Sequence, residues 1–278
     1  MSNPTARRYT IEDLTYLMQR LRDPQTGCPW DLQQSFASIV PSTLEEAYEV
    51  ADAIETGDFE HLREELGDLL FQVIFYSQLG SEEQRFDFAE VVSGLVAKLV
   101  RRHPHVFPLG TLESEVQPGT TAHDSAIKAR WESLKQEERV AKGKRATLDD
   151  IPVSLAALTR AQKLQKRAAG VGFDWPDVGG ALAKVDEEIL EVREALAAND
   201  RAGLEEELGD LLFAVVNVSR HLQIDAEQAL RAASRKFEGR FRQIETGLSE
   251  RQLTPQTATL AQMDALWDEI KQRQKAAG

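Results

Sequence analysis

Eight acidic residues fall into two sets of four whose spacing suits metal chemistry. Glu188 and Glu191 stand three apart, and so do Glu207 and Asp210. Glu46, Glu49, Glu65 and Asp68 make the same pattern at a constant offset of 142 positions. Residues three apart on a helix share a face. If the two helices of each set pack antiparallel, four carboxylates meet between them, and such anions repel one another unless a cation neutralises them. Oxygen donors without nearby His or Cys suit Mg²⁺, or Mn²⁺, rather than zinc. Acids on a helix face often do no more than solvate it. All four positions of one repeat being acidic by chance is on the order of 10⁻³ when 46 of 278 residues are acids. Both sets are therefore candidate metal ligands.

Cations form the second ingredient. Lys184 lies one turn before Glu188, Lys236 and Arg240 are four apart, and Lys271 is one turn beyond Trp267. Lys and Arg beside a metal–carboxylate cluster suit a polyphosphate, and an indole can stack on a base. Taken singly, exposed helix cations usually solvate and a lone Trp usually packs. Gly67 and Gly209 sit inside otherwise good helices at a cost of about 1 kcal/mol relative to Ala. Close approach by a partner helix or a ligand would explain them.

Competing chemistries have less support. A di-iron bundle needs Glu-x-x-His pairs, and no His here has Glu three residues before it. His123-Asp124, helped by His103 or His105, would suit a metal phosphohydrolase. Those residues flank a Pro/Gly-rich break and have no counterpart in the second half. The glycine-rich phosphate loops and the Ser/Cys nucleophile motifs are missing.

The elements that must position these groups are duplicated. Glu65–Phe71 and Glu207–Phe213 both read E-L-G-D-L-L-F, and each follows an E-E-x-x-E. At drifting offsets Lys98 and Arg102 match Lys236 and Arg240, and Trp131 and Lys135 match Trp267 and Lys271. Leu14-Thr15 and the turn Gly27–Asp31 resemble Leu158-Thr159 and Gly170–Trp175. Leu44, Tyr48, Ala51 and Ile54 recur at helical spacing, as do Val185, Ile189, Val192 and Leu196. Ser42 with Glu45 reads as a capping box, and Asp87 with Glu90 and Asp225 with Gln228 mark the starts of third helices. Long alternating β runs are absent. The expectation is all-α: two tandem helical-bundle units over 1–136 and 151–278, joined by a charged linker at 137–150.

Composition sets the bounds. The chain has 278 residues, 42% of them hydrophobic, which excludes wholesale disorder. With 33 Lys plus Arg against 46 Asp plus Glu, the net charge is −13. That balance opposes bulk nucleic-acid binding, which needs an excess of cations. Cys28 is the only cysteine, so neither an internal disulfide nor a cysteine-based zinc site can form. No apolar run approaches the roughly 18 residues of a membrane span, so a soluble cytoplasmic protein is expected.

E-E-x-x-E, E-L-G-D-L-L-F and K-F-E-G-R-F resemble the MazG family of nucleoside triphosphate pyrophosphohydrolases. Leu17–Asp31, Arg101–Phe107 and Val171–Trp175 carry the likeness further, over nearly the whole chain. The resemblance implies Mg²⁺-dependent hydrolysis of NTPs and dNTPs between the α and β phosphates, in service of nucleotide-pool housekeeping. It also implies an intertwined homodimer. Carried over by position, Glu188, Glu191, Glu207 and Asp210 would hold Mg²⁺, and Lys184, Lys236 and Arg240 would contact phosphates. Asn217, Trp267 and Lys271 would lie near the nucleotide. Glu187 or Glu188 would accept the proton. The first unit has Ser42 where the second has Lys184, and Phe75 where it has Asn217. The second is therefore expected to be the main catalytic unit. Gly203 stands where a further cation could have helped hold phosphate. The alternative function is a non-catalytic nucleotide- and metal-binding sensor or scaffold.

Overall fold

The computed structural model describes residues 8–116 and 146–277, with Ile127, Arg130, Trp131, Ser133, Leu134, Glu137, Glu138 and Gly143 between them. Lys135, His123 and Asp124 lie outside the described residues. Two compact units divide the chain, Met1–Glu137 and Glu138–Gly278. Among the described residues there are helices and no strand, as the periodicity requires.

In the first unit α1 (Ile11–Leu21), α2 (Pro29–Gln33), α3 (Val40–Thr56), α4 (Phe59–Glu82) and α5 (Phe88–Arg102) follow one another. In the second, α6 (Ala157–Ala169), α7 (Val178–Ala198), α8 (Arg201–His221), α9 (Ala226–Glu250) and α10 (Leu260–Ala277) do so. Each unit is built on a helical hairpin, α3 with α4 and α7 with α8. The tight turn between the paired helices needs a left-handed residue. Gly57 supplies it at φ 74° and Asn199, 142 positions later, at φ 53°. Asn tolerates this region better than most side chains, so either residue ends the helix cheaply. Asp58 and Asp200 then cap the return helices, accepting from the His61 and Gly203 backbone N–H groups.

The capping expectations divide. Asp87 with Glu90 forms the reciprocal box, and Asp225 accepts from Gln228. Ser42 with Glu45 does not. The helix starts earlier, at Val40 after Ile39 with Pro41 in its first turn, which leaves Ser42 inside it. A proline in the first turn favours this start because its missing N–H would have had no partner there.

α1 packs on α4 in the first unit, and α6 packs on α8 in the second. Met18, Ile39, Ile74, Phe75 and Leu79 form the first core. Ile244, Leu248, Leu266 and Ile270 join α9 to α10. The end of the charged segment belongs with the second unit: Arg167 on α6 donates to the Thr147 and Asp149 carbonyls. Much of the apolar stripe on the hairpins faces outward, with Leu44, Tyr48, Leu66, Leu190, Leu208 and Leu212 all exposed. For Gly67 and Gly209 the structure speaks to one of the two expected reasons. A Cβ built on either meets nothing within 4 Å, so among the described residues no helix of the same chain approaches them closely.

Candidate metal centre

α7 and α8 bring the second acid set together. Carboxylate oxygens of Glu188, Glu207 and Asp210 lie within 4.8 Å of one another. Glu191, one turn after Glu188, interacts with both Glu188 and Glu207. α3 and α4 do the same in the first unit for Glu46, Glu49 and Glu65, with Asp68 close enough to repel Glu46 and Glu65. Each hairpin thus gathers its acids, but the outlying member is Glu191 in one and Asp68 in the other.

Burial makes the gathering costly. Glu188 has a side chain only 4% exposed, on the inner face of α7. Its Oε1 accepts from Lys184 Nζ at 2.6 Å, while Oε2 is buried with no donor among the described residues. The Glu191 pKa is pushed up, first by its contact with the Glu188 carboxylate, which hydrogen-bonds the protonated form, and then by burial. Burial, followed by the charges of Glu188, Glu206 and Asp210, pushes Glu207 up as well. The Lys184 pKa is raised too, by hydrogen bonds to Glu187 at 2.8 Å and to Glu188, which hold the ammonium in its charged form. Repelling carboxylates with a buried, donorless oxygen fit a hard divalent cation.

The first cluster has a different companion. His61 Nδ1 lies 3.1 Å from Glu65 Oε1, and Gly203 occupies the matching place in the second unit. Lys184 in turn is matched by Ser42, so each acid set has one basic neighbour on a different helix.

The remaining candidates lie on other helices. Arg240 on α9 stacks its guanidinium 5.3 Å from the Trp267 ring centre and donates to Gln274 at 2.9 Å. Trp267 also packs on Phe237 and borders the α9–α10 core. Lys236 is exposed on α9 and Lys271 half-buried on α10. Asn217 lies on α8, where its Oδ1 accepts from Arg220 Nε and Nη2 at 3.0 and 2.8 Å. The first-unit equivalents are packed differently: the Trp131 ring stands edge-on to His103 at 4.8 Å, and His103 Nδ1 meets the Leu99 carbonyl.

Residues to which the sequence reading assigned no role complete this end of the second unit. Arg220 donates to both Asp174 oxygens, and Asp174 also meets His221. That pairing, led by the Arg220 hydrogen bonds, holds the Asp174 carboxyl below the usual carboxylate range. Gln165 on α6 reaches across to α8, its Nε2 donating to the Phe213 carbonyl at 2.7 Å. Only the V-G-F-D-W turn could have pointed to Asp174, and nothing in local spacing pointed to Gln165.

A profile of the MazG nucleotide pyrophosphohydrolase domain matches residues 34–107 and again 180–244. The Escherichia coli (strain K12) protein named nucleoside triphosphate pyrophosphohydrolase is 52% identical over 268 residues, which covers 95% of this chain and 98% of that one. The chain belongs to the MazG family. It has the tandem form of that family, with both acid sets inside the matched regions. The Thermotoga maritima nucleoside triphosphate pyrophosphohydrolase/pyrophosphatase MazG is 38% identical and covers 94% of this MazG chain and 95% of its own length. The Bacillus subtilis protein YabN is 40% identical over 93% of this chain but only 51% of its own length. No helix among the described residues is long and apolar enough to cross a membrane.

Proposed function

We propose that this protein hydrolyses nucleoside and deoxynucleoside triphosphates at the α–β phosphate bond, releasing the monophosphate and pyrophosphate. The observation that carries the reading is the Glu188 cluster, a buried carboxylate with one oxygen on Lys184 and the other without a donor, ringed by Glu191, Glu207 and Asp210. The names of the similar Escherichia coli and Thermotoga proteins support the same activity. Glu188, Glu191, Glu207 and Asp210 hold Mg²⁺, or Mn²⁺, which when bound neutralises triphosphate charge and acidifies a water. Lys184 orients Glu188 and adds positive charge at the edge of the cluster. Glu187 stands outside the quartet and is open to solvent with one oxygen on Lys184, which leaves its other oxygen to take the proton from attacking water. Lys236, Arg240 and Lys271 supply cations for the departing pyrophosphate, and Trp267 supplies a stacking surface.

The exposed apolar residues of the two hairpins support a homodimer of twice 31.1 kDa in which a second copy covers them. The second repeat is the main catalytic unit in this reading.

Phosphorus NMR of an NTP panel with purified protein and Mg²⁺ tests the activity. Pyrophosphate and monophosphate should appear in equal amounts and stop appearing when a chelator is added. Orthophosphate with diphosphate, or stoichiometric binding without turnover, would overturn the reading.

A further inference from the structure

The two acid sets differ in the basic residue that stands against each, and the difference is one of donor chemistry. We infer that the first repeat holds a divalent transition-metal ion, in the series from Mn²⁺ to Zn²⁺, with His61 as a nitrogen ligand beside Glu46, Glu49 and Glu65. This site belongs to the first repeat alone and stands whether or not the second repeat hydrolyses nucleotides.

His61 lies in the first turn of α4, one turn before Glu65, and its Nδ1 is 3.1 Å from Glu65 Oε1. Two donors about 2.1 Å from one ion and at right angles to it stand about 3.0 Å apart. The pair therefore already has the spacing of neighbouring ligands. Glu65 also belongs to the set of three carboxylates whose oxygens lie within 4.8 Å of one another, with Glu46 and Glu49 across the hairpin on α3. His61 stands outside that set, against its Glu65 member. The Glu65 side chain is only 9% exposed, whereas the imidazole is 44% exposed and has open space in which to turn towards an ion held by the three acids.

The donor set then selects the ion. An imidazole adds a ligand to three anions with no further negative charge, and its nitrogen favours the transition ions. Mg²⁺ is harder, keeps oxygen donors and holds on to several of its waters.

The second repeat has the opposite character. Gly203 stands where His61 does, and the basic neighbour is Lys184, which donates to Glu188 Oε1. An ammonium has three donors and no lone pair, so it orients a carboxylate without ligating an ion. Glu188, Glu191, Glu207 and Asp210 are left as an all-oxygen set suited to Mg²⁺. Duplication has thus given one chain two donor sets that sort ions between them.

The test strips the full-length protein of metal and loads it with Mn²⁺ under about a hundredfold excess of Mg²⁺. Pulsed electron paramagnetic resonance of the retained Mn²⁺ should show a directly bound imidazole nitrogen. His61→Gln should remove that nitrogen signal and weaken Mn²⁺ binding by about tenfold or more, while calorimetry shows Mg²⁺ affinity little changed. Glu188→Gln should leave the nitrogen signal in place, which assigns it to the first hairpin. If His61 only hydrogen-bonds Glu65, His61→Gln weakens both ions together, and the inference falls. It falls equally if native protein retains no Mn²⁺ against Mg²⁺, or retains it with no nitrogen signal. Both are measurements that need no variant to fold. A nitrogen signal that survives His61→Gln places the ion elsewhere and overturns the assignment. Pyrophosphate release, followed separately, decides the activity of the second repeat under any of these outcomes.

Discussion

At matching positions on their return helices, α4 carries Phe75 and α8 carries Asn217. Phe75 is 1% exposed, packs edge-on against Phe71, and has the Arg22 guanidinium over its ring. Arg22 in turn donates to both Glu82 oxygens and to the Asp31 carbonyl, tying α1, α2 and α4 together. In the second repeat the arginine comes from α8 itself, as Arg220, and pairs with Asp174 on the turn before α7. The ring is gone and a cavity stands beside Asn217. Duplication has kept the acid hairpin in both copies, while this one position is filled by a packed ring in the first copy and borders a cavity in the second. Gathering the carboxylates therefore does not dictate what stands beside them on the return helix.

The largest expected effect breaks the closed side. Phe75→Ala removes a fully packed ring and should destabilise the protein by about 3–5 kcal/mol. Asn217→Ala, beside an existing cavity, should cost far less. Urea unfolding midpoints of both variants check this. Similar losses would mean that the two interiors are equally packed.

Activity should divide the repeats the other way. Glu207→Ala or Asp210→Ala removes a proposed ligand where triphosphate charge must be balanced, and one lost electrostatic contact of this kind typically costs about 2.7–4 kcal/mol, or 10²–10³ in kcat. Glu65→Ala and Asp68→Ala should lower pyrophosphate release only slightly, in proteins shown to be folded and of native mass. Equal losses would make the two sites equal partners. A loss confined to Glu65 and Asp68 would reverse the ranking.

Much of this contrast is written in local sequence. The repeated heptapeptide, the acid spacing and the helical period place both carboxylate sets on facing helices, because three-residue spacing and amphipathic stripes are local facts. Lys184 beside Glu188 follows from the same helical geometry. What the sequence concealed depends on packing between distant segments. Gln165 reaches α8 from a different helix, 48 residues away. Asp174 meets Arg220 only because the turn folds back, 46 residues apart. The Ser42 misreading has another cause: a good capping pattern lost to a proline one residue earlier. Outward-facing Leu44 and Leu196 look like core residues in the sequence, since period alone does not say what covers a stripe.

The two inner glycines sharpen the comparison at a smaller scale. Both have open space at the Cβ position, so Gly67→Ala and Gly209→Ala should each stabilise the chain by about 1 kcal/mol through helix propensity. Gly209 adjoins Asp210 in the proposed catalytic cluster, so its variant should also raise KM for nucleoside triphosphate, while Gly67→Ala leaves turnover unchanged. Urea unfolding and steady-state kinetics on the same preparations separate the two effects. A matching rise in KM from Gly67→Ala would show that nucleotide also approaches the first hairpin.

The smallest expected effect lies in the acid range and concerns the pair that holds Asn217. Arg220 lowers the Asp174 pKa, so the folded state holds that proton more weakly than the unfolded chain. The resulting stability is complete above the ordinary aspartate value of about 3.9 and is lost as pH falls through the lower folded value. With the side chain a quarter exposed, the pair is worth about 1 kcal/mol or less. Asp174→Asn should therefore lower the urea midpoint slightly at pH 7 and converge with the native protein near pH 3. Glu82, pushed up by burial but pulled further down by Arg22 and Gln78, provides the same acid dependence in the first repeat. The native protein should thus keep part of its acid sensitivity when Asp174 is replaced. The variant separates the repeats again through kinetics: releasing Arg220 frees Asn217 beside the cavity and should raise KM for ATP, whereas Glu82→Gln should leave KM alone. If Asp174→Asn left both the acid profile and KM unchanged, the Asp174–Arg220 pair would have no part in holding the open side of the molecule.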